Sequence, residues 1–215
     1  MKRILALLVV LFSSLALAHP RDELVQAAYL QLAPDSVQLE LDLTAGDLVA
    51  KTFLERMDTD RSGTLEDSES RAYAAEVLRQ LRLSVDGQSV VLELESVTTP
   101  STAALLAGGG VMQLKARAPL TVRPGAHTLE FVNSHAPVKS GYLSNAFVSS
   151  TLLQMNQQTR SDDQSTYRLS YTLAGADDSS MALWGIGAAV VVSSLAGLWL
   201  WRRGASNPRL ERSRQ

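Results

Sequence analysis

The chain of 215 residues contains no cysteine, which excludes a disulfide framework, a lipidated-cysteine anchor and any thiolate metal site. Histidine is nearly absent as well, with only His19, His127 and His135. There is no G-x-S-x-G nucleophile elbow, and the pair Ser149-Ser150 has no base beside it. The sequence is therefore read as non-enzymatic. Basic charge is also lacking where a nucleic-acid partner would need it. Residues 19–180 hold 21 acidic and 13 basic side chains, a net of -8, so the central domain is acidic and is not expected to bind nucleic acid. An excess of basic over acidic residues occurs at the two ends.

Those ends carry targeting information. Lys2 and Arg3 precede an apolar run from Ile4 to Leu17, and Ala16-Leu17-Ala18 places small residues at the minus-three and minus-one positions of a cleavage site. Residues 1–18 are expected to be a secretory signal peptide, because the run is short of the roughly 20 residues that a spanning helix needs. A second apolar segment, 181–201, has no charged residue and is followed at once by Arg202 and Arg203. It is long enough to span a bilayer. The tail 202–215, with Arg209, Arg212 and Arg214 against Glu211, marks the cytoplasmic side. The expected topology is a single-pass protein of the inner or plasma membrane, with its N-terminal domain periplasmic or extracellular. Trp184, Trp199 and Trp201 suit the two interfacial belts. Gly185, Ala189, Ser193 and Gly197 form a stripe of small residues at four-residue spacing, which suits either close packing in a homodimer or plain lipid-facing filler.

Between the ends, residues 19–174 alternate mostly with period two, and 175–180 read as a short acidic linker. Val37, Leu39, Leu41 and Leu43 follow the stretch Leu24 to Leu32 across Ala33-Pro34-Asp35-Ser36, a hairpin pattern. A second hairpin is expected where Leu81, Leu83 and Val85 meet Val90, Leu92 and Leu94 across Asp86-Gly87. Met112 to Ala118 alternate again, the Arg123-Pro124-Gly125 turn introduces Leu129 and Phe131, and Tyr167, Leu169, Tyr171 and Leu173 should point inward from a last strand. Leu105 to Val111 reads as a flexible glycine-rich connection, and residues 156–166 as a polar loop. The fold class expected is mainly β: a β-sandwich of seven or eight short strands.

One stretch breaks the alternation. Residues 58–69, DTDRSGTLEDSE, match the EF-hand calcium loop, which takes oxygen ligands from positions 1, 3, 5, 7, 9 and 12 and turns on a glycine at position 6. Those positions are Asp58, Asp60, Ser62, Thr64 (through its carbonyl), Glu66 and Glu69, with Gly63 at the turn. Amphipathic helices should flank the loop. Thr44 and Asp47 form a capping-box signature before Val49, Phe53, Leu54 and Met57, and Tyr73, Ala74, Val77 and Leu78 repeat at helical spacing afterwards. Ser70 departs from the pattern, since EF-hands usually carry an apolar residue there. The unit 44–80 is expected as a helix–loop–helix insertion between the second and third strands. A solvated acidic turn needing no metal is the plainer alternative. Because the hand is single and exported, its Ca2+ is expected to act as a structural clip rather than a switch.

The start His19-Pro20, the calcium loop, Asp86-Gly87, the segment Tyr142 to Ala146, Gln158 to Arg160, Gln164 and Tyr167 to Tyr171 together resemble a family of bacterial exported domains. Those domains accompany, or are fused to, membrane proteins of the HupE and nickel/cobalt-transporter type. The resemblance implies an accessory role beside an envelope protein or metal transporter. Here no multi-helix transporter follows, only one apolar segment. A free His19 amino terminus can chelate nickel or copper, which makes capture of a transition metal the alternative function. An exposed terminal residue selected for cleavage is the simpler explanation of His19.

Overall fold

In the computed structural model the described residues are 21–175, and they are mainly β. The first hairpin forms as its pattern predicts: β1 (Leu24–Ala33) and β2 (Ser36–Ala45) pair from Leu24↔Ala45 to Ala33↔Ser36 around Pro34 and Asp35. Then come α1 (Ala50–Met57) and α2 (Asp67–Arg79), followed by β3 (Leu81–Val85) and β4 (Gln88–Val90). The remaining elements are β5 (Glu93–Thr98), α3 (Thr102–Leu106), β6 (Val111–Pro119), β7 (Gly125–Asn133), β8 (Ser140–Val148), β9 (Leu153–Arg160) and β10 (Thr166–Leu173).

The ten described strands form two five-stranded sheets, β5-β6-β2-β1-β8 and β4-β3-β7-β10-β9. One apolar cluster unites their inward faces, an arrangement consistent with the expected sandwich. Leu30, Leu39, Leu41 and Met112 from one sheet and Leu83, Phe131, Tyr167 and Leu169 from the other are all essentially inaccessible. Full burial of such a side chain contributes roughly 1.5–3 kcal/mol, so the core rests on the alternation legible in the strands. Since β2 lies in the first sheet and β3 in the second, the helix–loop–helix is the first of several chain crossings between the sheets.

Several details differ from expectation, and the strand count rises to ten for two of the reasons. Val90, Leu92 and Leu94 do not form one strand. The chain leaves the second sheet after Val90 and joins the first at Glu93, leaving Val91 71% exposed at the crossing. Residues 156–166 are not simply a loop: 153–160 form edge strand β9, in which Leu153 is buried and Met155 half-buried while Asn156 to Arg160 are exposed throughout. Leu105 begins no flexible tether, since it belongs to α3, where Ser101 Oγ accepts the Ala104 N–H. Gly108, left-handed at φ +74, lies where a Cβ would stand 2.9 Å from the Asp47 nitrogen. The Thr44–Asp47 capping box does not form. Thr44 is still in β2, Asp47 is held by Arg21, and α1 starts from Val49 without a side-chain cap. Thr44 ends up too far before the N-cap Val49 for its hydroxyl to reach the first turn of α1.

The predicted signal peptide, His19, the segment 181–201 with Gly185, Ala189, Ser193 and Gly197, and the tail lie outside the described residues. Among the described residues no helix is long and apolar enough to cross a membrane.

Candidate metal centre

The loop between α1 and α2 is shaped by its own carboxylates. The Asp58 N–H closes α1 by bonding to Leu54 O at 2.9 Å. Two left-handed residues follow, Arg61 at φ +59 and Gly63 at φ +79, on either side of Ser62. That backbone turns successive amides inward, the arrangement of an anion nest. The Ser62 N–H is shared between Asp58 Oδ1 and Asp60 Oδ1, each at 2.9 Å, and the Gly63 N–H donates to Asp58 Oδ2 at 2.9 Å. Ser62 Oγ donates to Thr64 O at 3.0 Å. Glycine is needed at 63 because an L side chain in the left-handed region is strained by about 1–2 kcal/mol.

Glu69 closes the ring from the other side. It occupies the third position of α2, behind Glu66 at the N-cap, and its Oε2 accepts the Glu66 N–H at 3.2 Å. Oε1 reaches back to the loop's beginning, accepting the Thr59 N–H at 2.7 Å, the Thr59 hydroxyl at 2.9 Å and the Asp60 N–H at 3.3 Å. The acidic first turn of α2 is also favoured by the helix dipole.

Carboxylate oxygens of Asp58, Asp60 and Glu69 thereby lie within 4.8 Å of one another. Asp58 and Glu69 are each only 9% exposed. Among the described residues, no lysine, arginine or histidine forms an ion pair with any of the three. The inward N–H groups favour the ionised form of Asp60 and Glu69. The Ser62 amide and hydroxyl hold the Asp60 carboxyl below its usual range. For Glu69, desolvation pushes upward, but the bonds from Glu66, Thr59 and Asp60 outweigh it and the carboxyl is lowered. Of the six expected ligands, these three converge. Ser62 and Thr64 are exposed beside them, and Glu66 is exposed and outside the cluster. Position 9 of such loops often acts through water. The set is all oxygen and anionic, which fits a hard divalent cation and not a soft one.

The helices bearing the loop are tied to the sheets by contacts that spacing within the sequence does not reveal. Phe53 of α1 meets Tyr73 of α2 edge-on, ring centroids 5.7 Å apart. The Tyr73 hydroxyl is 2.9 Å from His135 Nε2. His135 is 1% exposed and belongs to a buried polar chain. Its N–H donates to Asn133 Oδ1 at 3.0 Å, and its carbonyl accepts from the Gln26 amide at 2.6 Å. The Asn133 amide returns to Gln26 Oε1 at 3.0 Å. Burial, helped by the positive charge of Arg56, lowers the imidazole to about 4, so it is neutral at pH 7. Ser70, the odd residue of the helical pattern, is 3% exposed and accepts a hydrogen bond from the Thr99 hydroxyl at 2.9 Å. Its polarity is thus explained by a bond to the segment following β5. Gln26 and Asn133, polar residues at inward strand positions, are the hints of this network in the sequence.

His127 has a different setting. Its Nδ1 is 2.7 Å from Asp86 Oδ2 and its Nε2 is 2.6 Å from Arg123 O. Both partners are acceptors, so the imidazolium form, in which both ring nitrogens donate, is the one that satisfies both contacts. The Asp86 bond, with lesser help from Arg123 O, raises its pKa. His127 and His135 therefore serve separate structural contacts and do not form a common metal site. Comparison with protein families, curated proteins and solved structures gives no match.

Proposed function

We propose that this chain is an exported, membrane-anchored, non-enzymatic module in which an EF-hand binds calcium and fastens a helix–loop–helix to a β-sandwich that contacts another envelope protein. The observation that carries the reading is the convergence of Asp58, Asp60 and Glu69 within 4.8 Å around amides that orient them. Three carboxylates so close repel one another, and a divalent cation removes that repulsion while taking up Ser62 Oγ and the Thr64 carbonyl as further oxygens. Calcium accepts 6–8 such ligands in flexible geometry, whereas magnesium demands a near-ideal octahedron. A structural role is favoured over a sensing one. Opening a target groove would break the Tyr73–His135 and Ser70–Thr99 bonds. The apolar segment 181–201 and its basic flank support the anchor, and the signal-like residues 1–18 support export.

Calorimetric titration of the full chain in detergent with calcium, magnesium, nickel and copper tests the proposal. Calcium should bind, and Asp58→Ala combined with Glu69→Gln should abolish the heat. Absence of calcium binding overturns the reading. Nickel or copper binding that vanishes when His19 is replaced would favour the transition-metal accessory role instead.

A further inference from the structure

A second candidate site lies on the opposite side of the strand alternation, on the solvent face of the first sheet. Tyr29 and Gln31 point outward from β1, Gln38 and Glu40 from β2, Lys115 from β6 and Phe147 from β8. Register places them in two rows. Gln31 is opposite both Phe147 and Gln38, and Tyr29 is opposite both Asn145 and Glu40, with Lys115 opposite Glu40 in turn. A groove of about 510 Å³ runs over these residues. It shares no residue with the helix–loop–helix.

The lining has a definite chemistry. The Tyr29 and Phe147 rings form an offset-stacked pair, inclined by 27° with centroids 6.5 Å apart. They are 39% and 49% exposed, so the aromatic pair presents part of its surface to solvent on the sheet. Next to them, the exposed amides of Gln31 and Gln38 offer both donors and acceptors. Glu40 and Lys115 pair at 3.1 Å and neutralise each other, and Glu95, at the bulge of β5, is the remaining charge. The groove therefore has no cationic surplus with which to hold a polyanion. Flat aromatic faces bordered by neutral amides and a paired carboxylate match a ligand that is apolar on its ring faces and hydroxylated on its rim.

We propose that this groove binds an uncharged oligosaccharide. Tyr29 and Phe147 stack on sugar C–H faces, while Gln31, Gln38 and Glu40 take the hydroxyls. The groove volume lies within the roughly 300–1,000 Å³ usual for small-ligand sites. A protein partner would use the same rings as apolar bulk, and the two occupants separate on that point. Phe147→Leu preserves apolar bulk but removes the flat face.

The test uses the full chain in an amine-oxide detergent, free of sugar headgroups. It is screened against immobilised neutral glycans and then titrated with soluble β-linked glucose, xylose and N-acetylglucosamine hexamers. At least one neutral series should bind. Phe147→Leu and Tyr29→Ala should each weaken it about tenfold or more, which is about 1.4 kcal/mol, with unchanged thermal midpoints. Tyr29→Trp should retain it. The Asp58→Ala/Glu69→Gln chain should bind the same glycan, keeping this site separable from the calcium proposal. No binding to any neutral glycan, binding indifferent to Phe147→Leu, or selection of acidic glycans alone would overturn it.

Discussion

The chain makes two tight turns with nearly the same parts and balances their charge in opposite ways. At 58–63 an aspartate accepts loop amides while the backbone passes through left-handed Arg61 and Gly63. At the β3–β4 turn, Asp86 itself is left-handed at φ +52 before Gly87 at φ +77, and its Oδ1 accepts the Thr128 N–H at 2.8 Å. The difference is the counter-charge. Asp86 has His127 at 2.7 Å, a protein cation that completes its turn. Asp58, Asp60 and Glu69 have amides and hydroxyls but no protein cation paired with any of them among the described residues. One turn is electrically finished by its own chain, and the other is the one for which the proposed calcium would supply the missing charge.

The comparison is broken most directly by withdrawing the external charge. If the acidic loop is a calcium site, calcium at a thousand times its dissociation constant adds about 4 kcal/mol, a shift on the order of 10 °C for a domain of this size. Thermal melts of the full chain in calcium and in chelator should differ accordingly. Asp58→Ala with Glu69→Gln should erase the difference, while the His127 resonances stay where they are. Next in size, Tyr73→Phe removes the hydroxyl that links the loop's second helix to His135. Leaving a buried partner unpaired should lower stability by about 1–3 kcal/mol in urea titrations. Gly63→Ala should cost about 1–2 kcal/mol through backbone strain alone, since its Cβ would meet nothing within 4 Å. Arg61→Gly should recover part of that in the double variant.

The smallest effect belongs to the self-sufficient turn. The folded pKa of His127 is raised, so its stabilisation is complete below the unfolded value near 6.5 and is lost as pH rises through the folded value. The Asp86 pKa is lowered chiefly by the His127 bond, so its contribution is present above the unfolded value and lost as pH falls through the folded one. Asp86 is about half exposed, which limits the pair to about 1 kcal/mol or less. The urea midpoint should fall as pH rises above about 6.5 in the native chain, and that fall should be reduced in His127→Gln.

What was legible in the sequence follows the range of the interactions. The β1–β2 hairpin and the inward set of Tyr167, Leu169, Tyr171 and Leu173 could be read because side-chain alternation records which face is covered. The loop's converging acids could be read because their spacing is local. The exchange of sheets after Val90 could not, since Val90, Leu92 and Leu94 keep an unbroken alternation while their partners change. Strand β9 was hidden because Asn156, Gln157 and Gln158 carry no apolar record of an edge position. Ser70 looked like a defect until Thr99 was placed against it. The contact of Tyr73 with His135, 62 residues apart, leaves no periodic trace.

The parallel pairing of β1 with β8 has a consequence for how the chain reaches its final state. Leu24 lies beside Ser140 and Leu32 beside Val148, 116 residues apart throughout. The β1–β2 hairpin can close within the first stretch of chain to become available, but the other edge of β1 has no neighbour until nearly the whole domain has followed. Contacts of such long sequence separation slow folding, and an unpaired strand edge invites pairing with other chains. Arrival of β8 is then the late step that seals the first sheet, and the interval before it is when this chain is most exposed to misassembly.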